Sequence, residues 1–243
     1  MIDYTGLEFP AARVFDRPYV VVNMVSSLDG RSVIETTEAG LGSTLDRRLM
    51  RELRVHADVV MLGAATLRTT DATPRPGSAA LEHLRAVAGK RPTAVSAVIS
   101  RSGRLPRDRQ FFTAEDYDAV VYVADSCAPE AVNALEQERR PVVRVPAGDP
   151  ALATLTHMQE SLGAELVLLE GGPTLLSMFL QSDLVDEVFI TIGPVLIGGD
   201  RPSIVASAGP QEGLMRRMHL VHLLSDQQTS EVFARYRRAG SSL

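Results

Sequence analysis

The residues with the clearest chemical potential are Glu170-Gly171-Gly172-Pro173-Thr174-Leu175. They follow Leu166-Val167-Leu168-Leu169, an apolar run that predicts a buried strand. The glycines let the backbone turn with no Cβ in the way. Pro173 suits a first helical position, where its fixed φ is preorganised and its missing N–H would lack an intrahelical partner anyway. The spacing therefore predicts a strand, a tight turn and a helix N-terminus whose bare amides can hold a phosphate or pyrophosphate. Glu170 ends the strand beside that turn. Gly-Gly-Pro is also an ordinary way to leave a strand, so this reading needs support from other strand ends.

Three further strand ends supply it. Gly63-Ala64-Ala65-Thr66 follows the apolar run Val59–Leu62 and makes a second small-residue turn into a helix, with close packing as its plain alternative. Ser100-Arg101 follows the strand Ala94–Ser100, and a hydroxyl beside a guanidinium suits a second phosphate such as the 2′-phosphate of NADP. Its alternative is a solvated basic turn. Ser26-Ser27-Leu28-Asp29-Gly30 leaves the first strand, and Asp-Gly is a generic turn signal. Together these positions line one edge of a sheet, where α/β proteins bind ligands.

Other chemistries find no footing. Gly40-Leu41-Gly42 lacks the third glycine of a dinucleotide fingerprint and follows a polar loop, not a strand. There is no Walker A sequence, no HExxH or CxxC spacing, and no His-x-Glu with Pro-Cys-x-x-Cys of the zinc deaminases. His56, His83, His157, His219 and His222 are scattered, so no metal site is expected.

The elements that must carry these residues alternate. Strands are expected at Tyr19–Val25, Val59–Gly63, Ala94–Ser100, Ala119–Ala124, Val142–Val145, Leu166–Leu169 and Asp186–Ile192. Helices are expected from Ser43 or Thr44 to about Val55, Ala64–Arg68, Ala79–Val87, Pro129 to about Arg139 behind a Ser126 cap, and Asp149–Leu162, with another after Pro173. Met218–Leu224 and Glu231–Arg238 then leave no room for a helix between them and predict a closing hairpin. The expected class is α/β: a mixed, mostly parallel sheet flanked by helices, with a C-terminal antiparallel hairpin. Residues 1–17 read as an arm on a single domain spanning 1–243.

A chain of 243 residues with 45% hydrophobic residues can bury a sizeable core, and a net charge of −5 argues against a nucleic-acid or membrane-surface binder. Cys127 is the only cysteine, so no intrachain disulfide forms, which fits a cytoplasmic setting. Neither a signal peptide nor a membrane-spanning run is expected.

In order along the chain, Ser26–Arg31, Leu53-Arg54 with Ala57-Asp58, Gly63–Arg68, Glu170–Leu176, Leu184–Glu187 and Gly193–Gly199 form a set. It resembles the pyrimidine reductases of riboflavin biosynthesis, the reductase half of the bifunctional deaminase–reductase, over about Tyr19 to Arg238. The resemblance implies a dihydrofolate-reductase-like fold, NADPH and a homodimer. The implied reaction reduces the ribosyl group of a 5-phosphoribosylamino-pyrimidine to ribityl. It implies cofactor contacts at Val25, Gly40, Thr66, Thr70, Ser100 and the turn Gly171, Gly172, Pro173, Thr174 and Leu175, to which the strand-end reading adds Gly63 and Arg101. It implies substrate contacts at Glu170, Arg54 and Glu38. The family's acidic-Pro-x-Leu run is shifted here to Thr70–Pro76, where Asp71 is the candidate substrate contact. Glu170 is the best candidate for orienting the substrate. Asp29, Asp71 or water would deliver the proton, and Asp29 joins Glu170 as a catalytic candidate. A dihydrofolate-like or other pteridine or pyrimidine reductase, or an NADP-binding protein without catalysis, are the alternatives.

Overall fold

The computed structural model describes residues 2–10, 16–32, 40–206 and 215–239. The strands are β1 (Tyr19–Ser26), β2 (Val59–Gly63), β3 (Val95–Ser100), β4 (Ala119–Ala124), β5 (Val142–Val145), β6 (Leu166–Leu169), β7 (Glu187–Ile192), β8 (Met218–Asp226) and β9 (Glu231–Arg238). They form one nine-stranded sheet in the order β5-β4-β3-β2-β6-β1-β7-β9-β8. The pairs from β5 to β7 are parallel, and β9 pairs antiparallel with both β7 and β8. The expected mostly parallel sheet with a C-terminal antiparallel hairpin is what forms.

Helices cover both faces, as parallel strands buried on two sides require. They are α1 (Thr44–Leu53), α2 (Ala64–Thr69), α3 (Ala79–Val87), α4 (Gln110–Thr113), α5 (Pro129–Glu136), α6 (Pro150–Leu162) and α7 (Pro173–Gln181). Alternate residues of the strands face opposite ways. Val20, Val22, Met61, Val167 and Leu169 pack with Leu155 and Met158 of α6 and Leu175, Leu176 and Phe179 of α7. On the other face Val21, Val60 and Leu168 pack with Leu49 and Leu53 of α1, and Val98 and Val121 pack with Leu67 of α2 and Val132 and Leu135 of α5.

Caps explain where helices start. Ser43 accepts from the amides of Leu45 and Asp46, Ser78 from Leu81, and Asp149 from Leu152. Ser126 is not the cap of α5, which begins behind Ala128 without a side-chain cap; Pro129 at its first position needs no amide partner. The N-terminal arm is docked: Tyr4 is buried with Ile2, Leu7 and Phe9 around it, and its amide donates to Glu52 Oε2 at 2.9 Å.

Two features of the topology set the ligand edge. The sixth strand is inserted between the second and the first, and connections leave that centre in both directions, so the crevice opens beyond the carboxyl ends of β1, β2 and β6. The loop after β7 folds over one end of it. There Gly193 N donates to Ser26 O at 2.8 Å, and a Cβ on Gly193 would stand 2.3 Å from Leu41 O. Only glycine fits that approach.

Candidate functional site

A cleft of about 550 Å³ opens at this edge, lined by Asn23, Met24 and Val25 of β1, by Asp46, Arg47 and Met50 of α1, by Thr66 and Thr70, and by Glu170 to Pro173. One wall of it is made of backbone. Gly171 has φ +89°, the left-handed region that glycine enters without penalty, and Gly172 caps α7 ahead of Pro173. The turn after β2 lies against it: Gly63 N donates to Gly171 O at 3.1 Å, and Gly172 N to Thr66 Oγ1 at 3.4 Å. A Cβ on Gly172 would meet Thr66 Oγ1 at 3.2 Å. Two strand-to-helix turns that are distant in sequence thus meet side by side.

Glu170 sits on the floor of the cleft and is 9% exposed. It is not free: Arg54, also buried, grips it in a two-pronged pair, Nε to Oε1 at 2.7 Å and Nη2 to Oε2 at 2.6 Å. Arg54 Nη1 donates to Arg75 O at 2.7 Å. The backbone end of this arginine is fixed too. Arg85, 1% exposed on α3, donates to the carbonyls of Arg54, Val55 and Ala57 at the end of α1. These bonds satisfy a helix terminus with a guanidinium, whose charge complements the dipole there. The carboxylate and the guanidinium therefore arrive at the cleft as one neutral, rigid unit.

The remaining sequence candidates fall into three groups. Val25, Thr66, Thr70, Gly171, Gly172 and Pro173 line the cleft with Glu170. Gly63 lies just behind, under Gly171, and Leu175 is buried in the core beneath the turn while Thr174 is exposed. Ser100 is buried at the end of β3, its hydroxyl without a hydrogen-bond partner, and Arg101 beside it is exposed. Gly40, with φ +92°, is exposed and outside the cleft lining. Glu38 lies outside the described residues.

Asp29 and Asp71 stand apart from the cleft lining. Asp29 accepts from Ser27 Oγ at 2.7 Å, Ile197 N at 3.1 Å and Gly198 N at 2.8 Å. The Ser27 hydroxyl and these amides hold its carboxyl well below the usual range, so it carries no proton near neutrality. Its bonds tie the loop after β7 to the turn after β1. Asp71 accepts from the Gln110 side chain at 2.9 Å and the Gln110 amide at 2.8 Å, which lowers its pKa and fastens the end of α2 to α4.

Sequence reading missed the α1 wall. Asp46, Arg47 and Met50 carry no motif, but they and Arg54 share one stripe of a helix whose other stripe, Leu45, Leu49 and Leu53, enters the core. The signal was in the helical period: once the leucines are assigned inward, the polar stripe beside them is fixed. Asn23 and Met24 were hidden inside an apolar strand, and Ser32 inside a loop.

Residues 18–230 match the family described as the RibD C-terminal domain. A 2,5-diamino-6-ribosylamino-4(3H)-pyrimidinone 5′-phosphate reductase from Methanothermobacter thermautotrophicus is 32% identical over 197 residues, 81% of this chain and 87% of that protein. The protein of the same name from Archaeoglobus fulgidus is 31% identical over 193 residues, 77% of this chain and 86% of that one. The fold is also that of a pyrimidine reductase-like protein from Corynebacterium diphtheriae, with a TM-score of 0.84 at 18% identity, covering 92% of this chain and 93% of that one.

Proposed function

The chain belongs to the RibD C-terminal domain family, and we propose that it reduces the ribosyl group of 2,5-diamino-6-ribosylamino-4(3H)-pyrimidinone 5′-phosphate to ribityl in riboflavin biosynthesis, using NADPH. The observation that carries this reading is the meeting of the β2–α2 and β6–α7 turns beside a buried carboxylate–guanidinium pair. One wall suits a dinucleotide and the floor suits a polar heterocycle or sugar.

The residues present fit the cofactor. The side-chain-free turn at Gly171 and Gly172 leaves room for a pyrophosphate against the first turn of α7. The unpartnered, buried Ser100 hydroxyl with Arg101 beside it suits the 2′-phosphate that separates NADPH from NADH. NADPH, when bound, supplies a hydride for the substrate's sugar C1. The protein's part is orientation and exclusion of water. Val25 and Met24 give an apolar bed for the flat rings, and Glu170, an acceptor with its charge balanced by Arg54, takes hydrogen bonds from pyrimidine amino groups or sugar hydroxyls. With Asp29 and Asp71 ionised and outside the cleft lining, water is the proton source this reading favours.

We further propose a cytoplasmic homodimer. Among the described residues no helix is long and apolar enough to cross a membrane. Among the described residues strand β8 ends the sheet, pairing only with β9, and it carries exposed Leu220, Leu223 and Leu224. Such an edge invites pairing with another chain.

The test is direct. The purified chain with the phosphorylated pyrimidine should consume reduced nicotinamide and yield the ribityl product by mass spectrometry. Arg101→Ala should weaken NADPH by roughly 1.5–3 kcal/mol, the worth of a hydrogen bond to a charged group, and leave NADH unchanged. No turnover of the pyrimidine, or equal affinity of the wild type for both nucleotides, would sink the corresponding part.

A further inference from the structure

We infer that Glu231, on the hairpin strand β9 and outside the cleft lining, is a positioning residue that holds the α1 wall of the cleft in place. This rests on the reading above, with that wall given to the substrate. Glu231 is 1% exposed, and both its oxygens go to one residue, Ser43, 188 positions away. Oε1 accepts from the Ser43 amide at 2.7 Å and Oε2 from the Ser43 hydroxyl at 2.6 Å. Among the described residues no arginine or lysine pairs with it. Burying a carboxylate without a cation is costly. Two short bonds at the N-terminus of α1, where the helix dipole favours negative charge, offset that cost. An apolar residue would fill the place more cheaply, so the distinctive contribution of Glu231 is direction.

Ser43 passes that direction on. A serine hydroxyl at a cap is otherwise free to rotate. Here its proton goes to Glu231, and its oxygen accepts from Leu45 N at 3.0 Å and Asp46 N at 3.3 Å. The Ser43 carbonyl accepts from Arg47 N at 3.2 Å. Glu231 therefore fixes both the rotor that caps α1 and, through the Ser43 amide, the chain just after Gly42. Gly42, Asp46, Arg47 and, a turn later, Met50 all line the cleft.

The hairpin is built to hold Glu231 still. It directly follows a tight turn in which Asp226 Oδ2 accepts from Thr229 N at 2.8 Å and Ser230 takes φ +57°. Two residues along β9 and on the same face, Phe233 joins the buried cluster of Leu49 and Leu53. Strand β9 thus serves α1 twice, with a polar grip at its cap and an apolar member in the cluster beneath it. The element that closes the sheet also sets one wall of the cleft.

The experiment compares the wild type with Glu231→Gln, Glu231→Asp, Ser43→Ala and the double variant Glu231→Gln, Ser43→Ala, each with its melting temperature recorded. The oxygen of an amide at 231 can meet one Ser43 donor, but its NH2 then faces the other. KM for the phosphorylated pyrimidine should rise about ten-fold in Glu231→Gln and in Ser43→Ala, with kcat and the KM for NADPH within about two-fold of wild type. Glu231→Asp, which keeps both acceptors one methylene short, should fall between. The double variant should lose no more than the worse single one, because both act in one relay. Should Glu231→Gln fail to fold, Ser43→Ala carries the same expectation. A lower melting temperature with unchanged KM, a rise shared by NADPH, or additive losses would each overturn the proposal. Hydrogen exchange keeps it apart from the reductase reading. Exchange in Glu231→Gln, or in Ser43→Ala in its stead, should quicken over residues 45–54, the length of the wall. A change confined to Leu45, Asp46 and Arg47 would mark a local cap and overturn the proposal. If the wild type reduces no pyrimidine, the exchange result decides the positioning and the reductase reading alone falls.

Discussion

At the scale of single residues, the Glu170–Arg54 pair decides most. Breaking a buried pair by removing one partner leaves the other uncompensated and costs roughly 3–5 kcal/mol, whereas replacing both by apolar groups of similar volume is often neutral. This separates a structural from a chemical role. Glu170→Gln should lower stability within that range in urea unfolding and cut kcat/KM for the pyrimidine, while NADPH still binds. The double variant Arg54→Met, Glu170→Leu should regain most of the stability and none of the turnover. A stable double variant with wild-type kcat/KM would remove the pair from the chemistry. Next to it, Gly172→Val adds methyl groups to the turn proposed to receive the pyrophosphate and crowds Thr66 Oγ1. NADPH affinity measured by calorimetry should fall by ten-fold or more with an unchanged circular dichroism spectrum. Unaltered affinity would make the turn a piece of architecture only.

Among elements, the docked N-terminal arm gives a pH prediction. His56 Nε2 donates to Tyr4 O at 2.7 Å, and burial lowers the His56 pKa from 6.5. A base whose folded pKa is depressed resists a proton that the unfolded chain accepts. The stability it supports is therefore present above pH 6.5 and is lost as pH falls below that value. Hydrogen-exchange protection at Tyr4 and Leu7, corrected for the intrinsic pH dependence of amide exchange, should fall between neutral and mildly acidic pH, and His56→Gln should flatten the dependence. An arm equally protected across that range would refute it. The elements were largely legible in the sequence because local patterns agree with the fold: β2, β5, β6, β9 and α3 lie at the bounds expected of them, and Ser78, which the sequence reading did not single out, caps α3. The four-residue α4 escaped, since Gln110–Thr113 is too short for a period and is held by tertiary contacts to Asp71 and Tyr117. The Ser126 cap failed because Pro129 made a side-chain cap dispensable. In the site, turns with sequence signatures were readable, but the Arg54–Glu170 contact joins residues 116 apart and no local pattern encodes it.

For the whole molecule, the proposed homodimer rests on the β8 edge, which has no second partner strand among the described residues. Leu223 is 59% exposed in the last strand of the sheet, and an edge with such side chains is an association hazard unless covered. Light scattering should give twice the chain mass for the wild type, and Leu223→Asp should shift it toward the single chain with the fold kept; a monomeric wild type would dismiss the dimer. The two walls of the cleft also differ in how they can change over time. One is built of glycine amides and helix ends, for which most substitutions are costly. The other is the α1 stripe of Asp46, Arg47 and Met50, which can be rewritten residue by residue while Leu45, Leu49 and Leu53 keep the helix seated. On the proposed function, substrate preference is therefore free to drift under mutation, and to be redirected in the laboratory, along a helix separate from the turn proposed for the nucleotide.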